Sequence, residues 1–210
     1  MNELKILYEN ESYIGFFKPT GIPTVFGKEK KCFLKIIKEN HPKLFNFTGF
    51  KKEEGGLLYR LDNETNGLVL FAKTKEAFEN FINDQNLEKI YIAKVTNPPL
   101  TKKGTINFQI AHKSSKRMVA LIPNKKINFQ GKAKNAETKY EILKNNLIKC
   151  FIKKGLRHQI RVHLSAINCP IVGDDLYSKN GNNANELHLS CVGIKSKNLD
   201  IDVANKINLL

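Results

Sequence analysis

Apolar positions along the chain follow two periods. Short runs that alternate or are continuously apolar predict strands at Leu4 to Tyr8, at Tyr13 to Phe17 and at Gly67 to Lys73. Lys18-Pro19 and Gly21 close the second of these. A short helix is predicted over Lys31 to Glu39. A second follows Thr74, a helix-capping residue type, with Glu76 in the first turn and Ala77, Phe78, Phe81 and Ile82 recurring on one face. From Lys89 onward period two dominates. Ile90 and Ile92 alternate with Tyr91, Ala93 and Val95, and Ile106, Phe108 and Ile110 alternate with Asn107 and Gln109. Further strands are predicted at Arg117 to Ile122, Ala136 to Leu143 and Asn146 to Lys153, the last two forming a hairpin across Lys144 to Asn146.

After Gly155 the period changes again: Ile160, Leu164 and Ile167 stand at i, i+4 and i+7 and predict a helix over Arg157 to Ile167, stopped at Asn168 before Cys169-Pro170. A strand at Leu187 to Ile194 follows. Many sequence-adjacent strands with few helices predict an α+β fold with a mixed, largely antiparallel central sheet flanked by a few helices. No Ser/Gly-rich linker or repeat divides the 210 residues, so residues 1–210 are expected to form a single catalytic-sized domain.

Composition narrows the class. With 41% hydrophobic and 26% charged residues the chain is expected to fold in water. Its longest apolar run, Gly67 to Ala72, is far short of a bilayer span, and the N-terminus lacks a signal layout, so a cytoplasmic location without membrane contact is the default expectation. Cys32, Cys150, Cys169 and Cys191 are scattered without a zinc spacing, and His158 and His163 are five apart, not on one helical face, so no metal site is predicted. The patterns GxGxxG, GxxxxGK[ST] and GxSxG are absent, which removes the usual arguments for dinucleotide, P-loop nucleotide and hydrolase chemistry.

The formal net charge is +15, and the excess is clustered. Lys28 to Lys52 carries eight Lys against Glu29 and Glu39, and Lys113 to Lys139 carries eight basic residues against Glu137. A polyanionic partner fits this distribution, and so does a Lys-rich solvated surface without a ligand. Of the 35 basic residues only four are Arg, at 60, 117, 157 and 161. In so Lys-biased a chain, an Arg is a candidate for work that needs the planar guanidinium fork.

The segment YRLDNETNGLVLFAK, residues 59–73, sets a polar turn directly before a buried strand. On local sequence alone, Asp62 on that turn reads as an Asx turn or cap in preference to a carboxylate directed into a cleft. This segment resembles the RLDxxTSGLLL motif of the A-type RNA pseudouridine synthases, which act on large-subunit ribosomal RNA and on tRNA. Other blocks follow in that family's order. Residues 6–24 (ILYENESYIGFFKPTGIPT) resemble its opening strands ending in KPxG, KIYIAKV (89–95) its KxYxAxV strand, GLRHQIRVHLSAINCPIVGDDLY (155–177) its HQIR block, and ELHLSCVGI (186–194) its LHAxxL strand. The resemblance spans about 190 residues. Tyr59 stands where the family usually has His, Asn66 where it has Ser, and Leu156-Arg157 where it has Arg followed by Thr or Ser; these departures bear on which RNA is modified.

The resemblance implies the pseudouridine synthase fold, in its catalytic domain alone with no N-terminal RNA-binding module. It implies Asp62 as the nucleophilic or proton-abstracting carboxylate, Tyr91 as the aromatic on the target uracil and Arg161 as the ion-pair partner of Asp62. Arg60 would fill the gap left by the flipped base, with Arg157 and His158 also on the substrate side. No cofactor or metal is implied, because moving uracil from N1 to C5 involves no net oxidation. The expected partner is structured RNA, either rRNA or tRNA, and the expected state a monomer. The alternative is an RNA-binding or RNA-folding protein on the same scaffold whose activity has lapsed.

Overall fold

The computed structural model describes residues 4–25, 31–144, 146–178 and 184–208 of the chain. In chain order its elements are β1 (Ile6–Glu9), β2 (Tyr13–Lys18), α1 (Phe33–Asn40), β3 (Asn66–Ala72), α2 (Lys75–Asn83), β4 (Glu88–Lys94), β5 (Lys103–Ile106), β6 (Gln109–His112), β7 (Met118–Leu121), β8 (Gln130–Lys134), β9 (Thr138–Ile142), β10 (Leu147–Ile152), α3 (Gln159–Ala166), β11 (Leu189–Lys195) and β12 (Asp200–Asp202). The α+β class is as the pattern predicts. Packing divides the chain into two units, Met1–Leu87 with Ser190–Leu210, and Glu88–Leu189.

In the first unit β1, β2 and β3 form an antiparallel meander, and β11 joins β3 in parallel at Ser190/Asn66 and Cys191/Gly67, with β12 antiparallel on β11. β3 is buried almost throughout, which is why its sequence is continuously apolar and does not alternate. Its parallel contact with β11 depends on Gly67. There φ is +112°, and any Cβ would run into the main chain of Cys191. The sequence-predicted cap of α2 is present: Thr74 Oγ1 accepts the Ala77 N–H at 3.1 Å. Helix α1 begins two residues later than the pattern predicts and has no side-chain cap. The N–H groups of Phe33 and Leu34 donate instead to the carbonyls of Pro23 and Thr24, at 2.8 and 3.0 Å.

In the second unit β4, β10, β9 and β5 pair antiparallel in that order, and β7, β6 and β8 form a separate three-stranded sheet. The strand predicted over Ile106 to Ile110 is two strands in two sheets. The break falls at Asn107-Phe108, where the Phe108 carbonyl leaves the ladder and accepts from His163 Nε2 at 2.9 Å. Burial holds His163 below its usual imidazole range. With Nε2–H donating to Phe108, Nδ1 accepts from Thr138 Oγ1 at 2.9 Å. Ile110, Met118, Ala120, Val162 and Tyr177 make a small core between this sheet and α3. The β9–β10 hairpin is present at the predicted place, although residue 145 in its turn lies outside the described residues.

Candidate active site

The candidate residues divide between the units: Arg60 and Asp62 in the first, Tyr91, Arg157, His158 and Arg161 in the second.

In the first unit the stretch from Tyr59 to Thr65 belongs to no strand or helix, so its backbone groups need other partners. The KPTGIPT segment, residues 18–24, supplies most of them. Thr24 Oγ1 donates to the Leu61 carbonyl at 2.7 Å and accepts the Leu61 N–H at 3.1 Å. The Asn63 carbonyl accepts from Gly21 N at 2.9 Å and from Lys18 Nζ at 3.2 Å, and the Glu64 carbonyl from Thr20 Oγ1 at 2.8 Å. The turn is closed internally by the Thr65 N–H on the Asp62 carbonyl, at 3.2 Å. Asp62 thus stands half-buried on a turn whose main chain is held on either side, while Arg60 is exposed. Thr65 Oγ1 is buried beside it with no hydrogen-bond partner among the described residues, at a cost of about 1–3 kcal/mol.

Tyr59 is buried with its hydroxyl donating to the Leu68 carbonyl at 2.9 Å and its ring stacked on Phe81. Its side chain therefore packs into the unit's core. Asn66, the other departure from the family pattern, accepts from Ser190 Oγ at 2.5 Å, across the β3/β11 pairing.

Lys18 is fully buried. Its ammonium donates to the carbonyls of Pro19 and Ile22 at 2.8 Å each, as well as to Asn63. Burial pulls its pKa from 10.5 down to about 8, against the opposing pull of Glu64 and then Asp62. The charged form is the one the fold disfavours. Below pH 8 Lys18 is protonated in both the folded and unfolded chain and the full desolvation cost is present; between about 8 and 10.5 the unfolded chain binds the extra proton, so stability rises with pH. The gain reaches ~3 kcal/mol for a shift of this size. Urea unfolding at pH 7.5 and pH 10 is expected to show wild type gaining about that much relative to Lys18→Met. Parallel pH curves for the two proteins would contradict it.

In the second unit Tyr91 lies on β4 opposite Cys150 of β10 and is 6% exposed. Helix α3 starts at a residue under strain. His158, its N-cap, has φ +55° and ψ +20°, a left-handed conformation that few side chains adopt. Gln159 ties that entry down by accepting the Leu156 N–H at 3.0 Å and donating to the Glu137 carbonyl and Thr138 Oγ1 at 2.7 and 3.1 Å.

Arg161, two residues into the helix, is 2% exposed and forms a fork with Asp174: Nε to Oδ2 and Nη2 to Oδ1, both 2.9 Å. Asp174 Oδ1 also accepts the N–H groups of Leu176 and Tyr177, at 3.1 and 3.2 Å. The ring of Tyr177 lies 5.4 Å from the Arg161 guanidinium and 5.5 Å from that of Arg117. Its hydroxyl accepts the Met118 N–H at 2.9 Å and lies 2.7 Å from His158 Nδ1. Burial raises the Tyr177 pKa, so the hydroxyl keeps its proton. Arg157 is exposed, and its guanidinium donates to the carbonyls of Ser115 and Lys116 at 2.9 and 3.4 Å, anchoring the turn between β6 and β7.

The structure therefore joins Arg161 and His158 through Tyr177 and adds three residues that sequence reasoning did not single out: Thr24, Asp174 and Tyr177. The motif blocks contain all three, but nothing local marks Asp174 as the partner of an arginine 13 residues away. Among the described residues no group of three His, Cys, Asp or Glu is placed to hold a metal, and no helix is long and apolar enough to cross a membrane.

The RNA pseudouridylate synthase family model matches residues 12–166, a span that includes the Asp62 turn, Tyr91 and Arg161. The chain belongs to that family. It is 30% identical to an uncharacterized RNA pseudouridine synthase of Mycoplasma pneumoniae over 87% of its own length and 58% of that protein's. It is 27% identical to the ribosomal large subunit pseudouridine synthase D of Blochmanniella floridana, over 84% of its own length and 54% of that protein's. To the dual-specificity RNA pseudouridine synthase RluA of Vibrio cholerae it is 28% identical, over 83% and 69%. The chain thus spans little more than half the length of the first two of these relatives. Its fold is similar to that of human RNA pseudouridylate synthase domain containing 1, with a TM-score of 0.72 and 18% identity over 96% of this chain and 82% of that one. Human RNA pseudouridylate synthase domain containing 4 gives 0.70 and 24%, over 94% and 87%.

Proposed function

We propose that this protein isomerises uridines in structured RNA, ribosomal or transfer, to pseudouridine, acting as a monomeric catalytic domain without metal or cofactor. The observation that carries the reading is the Asp62 turn: a half-buried carboxylate on an irregular segment whose main chain is held on both sides by the 18–24 segment.

In this reading the uridine is extruded from its stack, since the reacting N1, C5 and C1′ atoms are not accessible within it. The Asp62 carboxylate then either attacks C1′ as the N1–C1′ bond breaks or removes a sugar proton. The uracil turns while bound, and C5 joins C1′ as the Asp62–C1′ bond breaks or, in the second route, as Asp62 returns the proton to the sugar; the C5 proton is then lost and N1 is protonated. Tyr91 stacks on the uracil, and its phenolic oxygen takes the C5 proton. Arg161 holds the Asp62 carboxylate ionised and oriented, and its own orientation is fixed by the Asp174 fork. Arg60 occupies the space the extruded base leaves, with Arg157 and His158 on the substrate side.

Extrusion costs a few kcal/mol, which phosphate contacts recover. The segment from Lys113 to Ala136 contains no acidic residue, and its lysines at 113, 116, 125, 126, 132 and 134 are all exposed. In the other basic stretch, Lys28 and Lys30 lie outside the described residues. Mapping pseudouridine in rRNA and tRNA from cells with and without the gene is expected to show one or more positions lost on deletion and restored by the wild-type chain. An unchanged map would count against the proposal.

A further inference from the structure

We propose that Thr24 is a positioning residue for the reaction, holding the peptide plane that precedes Asp62. The inference rests on the reading of Asp62 as the reacting carboxylate.

The direction of the Asp62 side chain is set by the two peptide planes that meet at its Cα. The plane after it carries the Asp62 carbonyl, which the Thr65 N–H holds at 3.2 Å. The plane before it carries the Leu61 carbonyl, and that carbonyl is held by the Thr24 hydroxyl at 2.7 Å. The same oxygen accepts the Leu61 N–H at 3.1 Å, so a single hydroxyl engages both polar backbone groups of the residue before Asp62. A hydroxyl can do this because it is donor and acceptor at once; no aliphatic group of the same shape can.

Thr24 is itself well anchored. It is 3% exposed, and its own carbonyl accepts the Leu34 N–H at the start of α1. The bond to Leu61 therefore ties the catalytic turn to a helix and not to a free loop end. The other hydrogen bonds from the 18–24 segment to this turn go to the carbonyls of Asn63 and Glu64, beyond Asp62. Reacting groups need placement to about half an ångström, and a displacement of 1 Å can cost ~10²-fold in rate. Without the hydroxyl the Leu61–Asp62 plane loses the bond from Thr24 while the carboxylate itself is untouched.

The test is single-turnover pseudouridine formation, with RNA affinity measured separately, on the full chain carrying Thr24→Val, Thr24→Ser or Thr24→Ala, beside Asp62→Asn. Thr24→Val is expected to lower the rate by about 10- to 100-fold with RNA affinity within about twofold of wild type, and Thr24→Ser to stay within about threefold. Should Thr24→Val fail to fold, Thr24→Ser and Thr24→Ala replace it: both lack the methyl group and differ only in the hydroxyl, so a slow Ala variant beside a fast Ser variant supports the proposal. Equal rates for Ser and Ala, or a wild-type rate for Val, would overturn it. The Asp62→Asn arm separates the two levels of inference. An inactive Asn variant with a fast Thr24→Val refutes the positioning role alone, whereas an active Asn variant refutes the reading of Asp62 beneath it.

Discussion

Asp62→Asn is expected to abolish pseudouridine formation, lowering tritium release from 5-tritiated uridine in RNA by ~10³-fold or more. The substitution is nearly isosteric. The hydrogen bonds that Thr24, Gly21, Lys18, Thr20 and the Thr65 N–H make to the turn engage backbone atoms of Leu61, Asp62, Asn63 and Glu64, so they survive it. RNA affinity is expected to stay within about twofold of wild type because the exposed lysines are unchanged. Loss of activity together with loss of RNA binding would instead mark Asp62 as a structural or binding group, and robust turnover would remove it from the chemistry.

The second large effect is expected at Tyr91, where ring and hydroxyl make separable contributions. Stacking on an extruded base is worth roughly 1–3 kcal/mol and needs only the ring. Tyr91→Phe is therefore expected to bind RNA as wild type does and to stall before the C5 proton leaves. The single-turnover rate of tritium release should fall ~10²-fold or more, the scale of general base catalysis. Tyr91→Ala is expected to lose both functions. It also vacates a buried site on β4, so its melting temperature should fall as well. Tyr91→Phe with a wild-type release rate would return Tyr91 to ordinary sheet packing.

What could be read in the sequence was what local chemistry encodes. The apolar face and Thr74 cap of α2, the continuous run of β3 and the i, i+4, i+7 spacing of α3 each report burial or capping within a few residues, and all three elements are present. Strand β8 was not legible. Gln130-Gly131-Lys132-Ala133-Lys134 buries almost nothing, has no apolar alternation, and is a strand only because β6 pairs with it. The split between β5 and β6 was hidden for the opposite reason: Ile106, Phe108 and Ile110 keep perfect alternation across a change of sheet, and the carbonyl at the break is bonded to His163, more than fifty residues away.

The site shows the same division. Asp62, Tyr91 and Arg161 stand in short blocks that a resemblance can recognise. Their supports are long-range. Thr24 reaches Leu61 over 37 residues and Lys18 reaches Asn63 over 45, and Tyr177 collects a histidine, two arginines and the Met118 N–H from two other segments. Only the three-dimensional arrangement reveals that the KPTGIPT segment, which sequence reasoning used as a strand stop and part of a motif, is what holds the turn that carries Asp62.

The most direct test of the central claim is tritium release by the purified wild-type chain, in EDTA, from prefolded rRNA and tRNA transcripts carrying 5-tritiated uridine. Chemical mapping of the product would follow in the same samples. The account predicts release without added metal or cofactor, one tritium for each pseudouridine mapped. RNA that is bound yet releases no tritium would contradict it, and would favour an RNA-binding protein on this scaffold whose chemistry has lapsed.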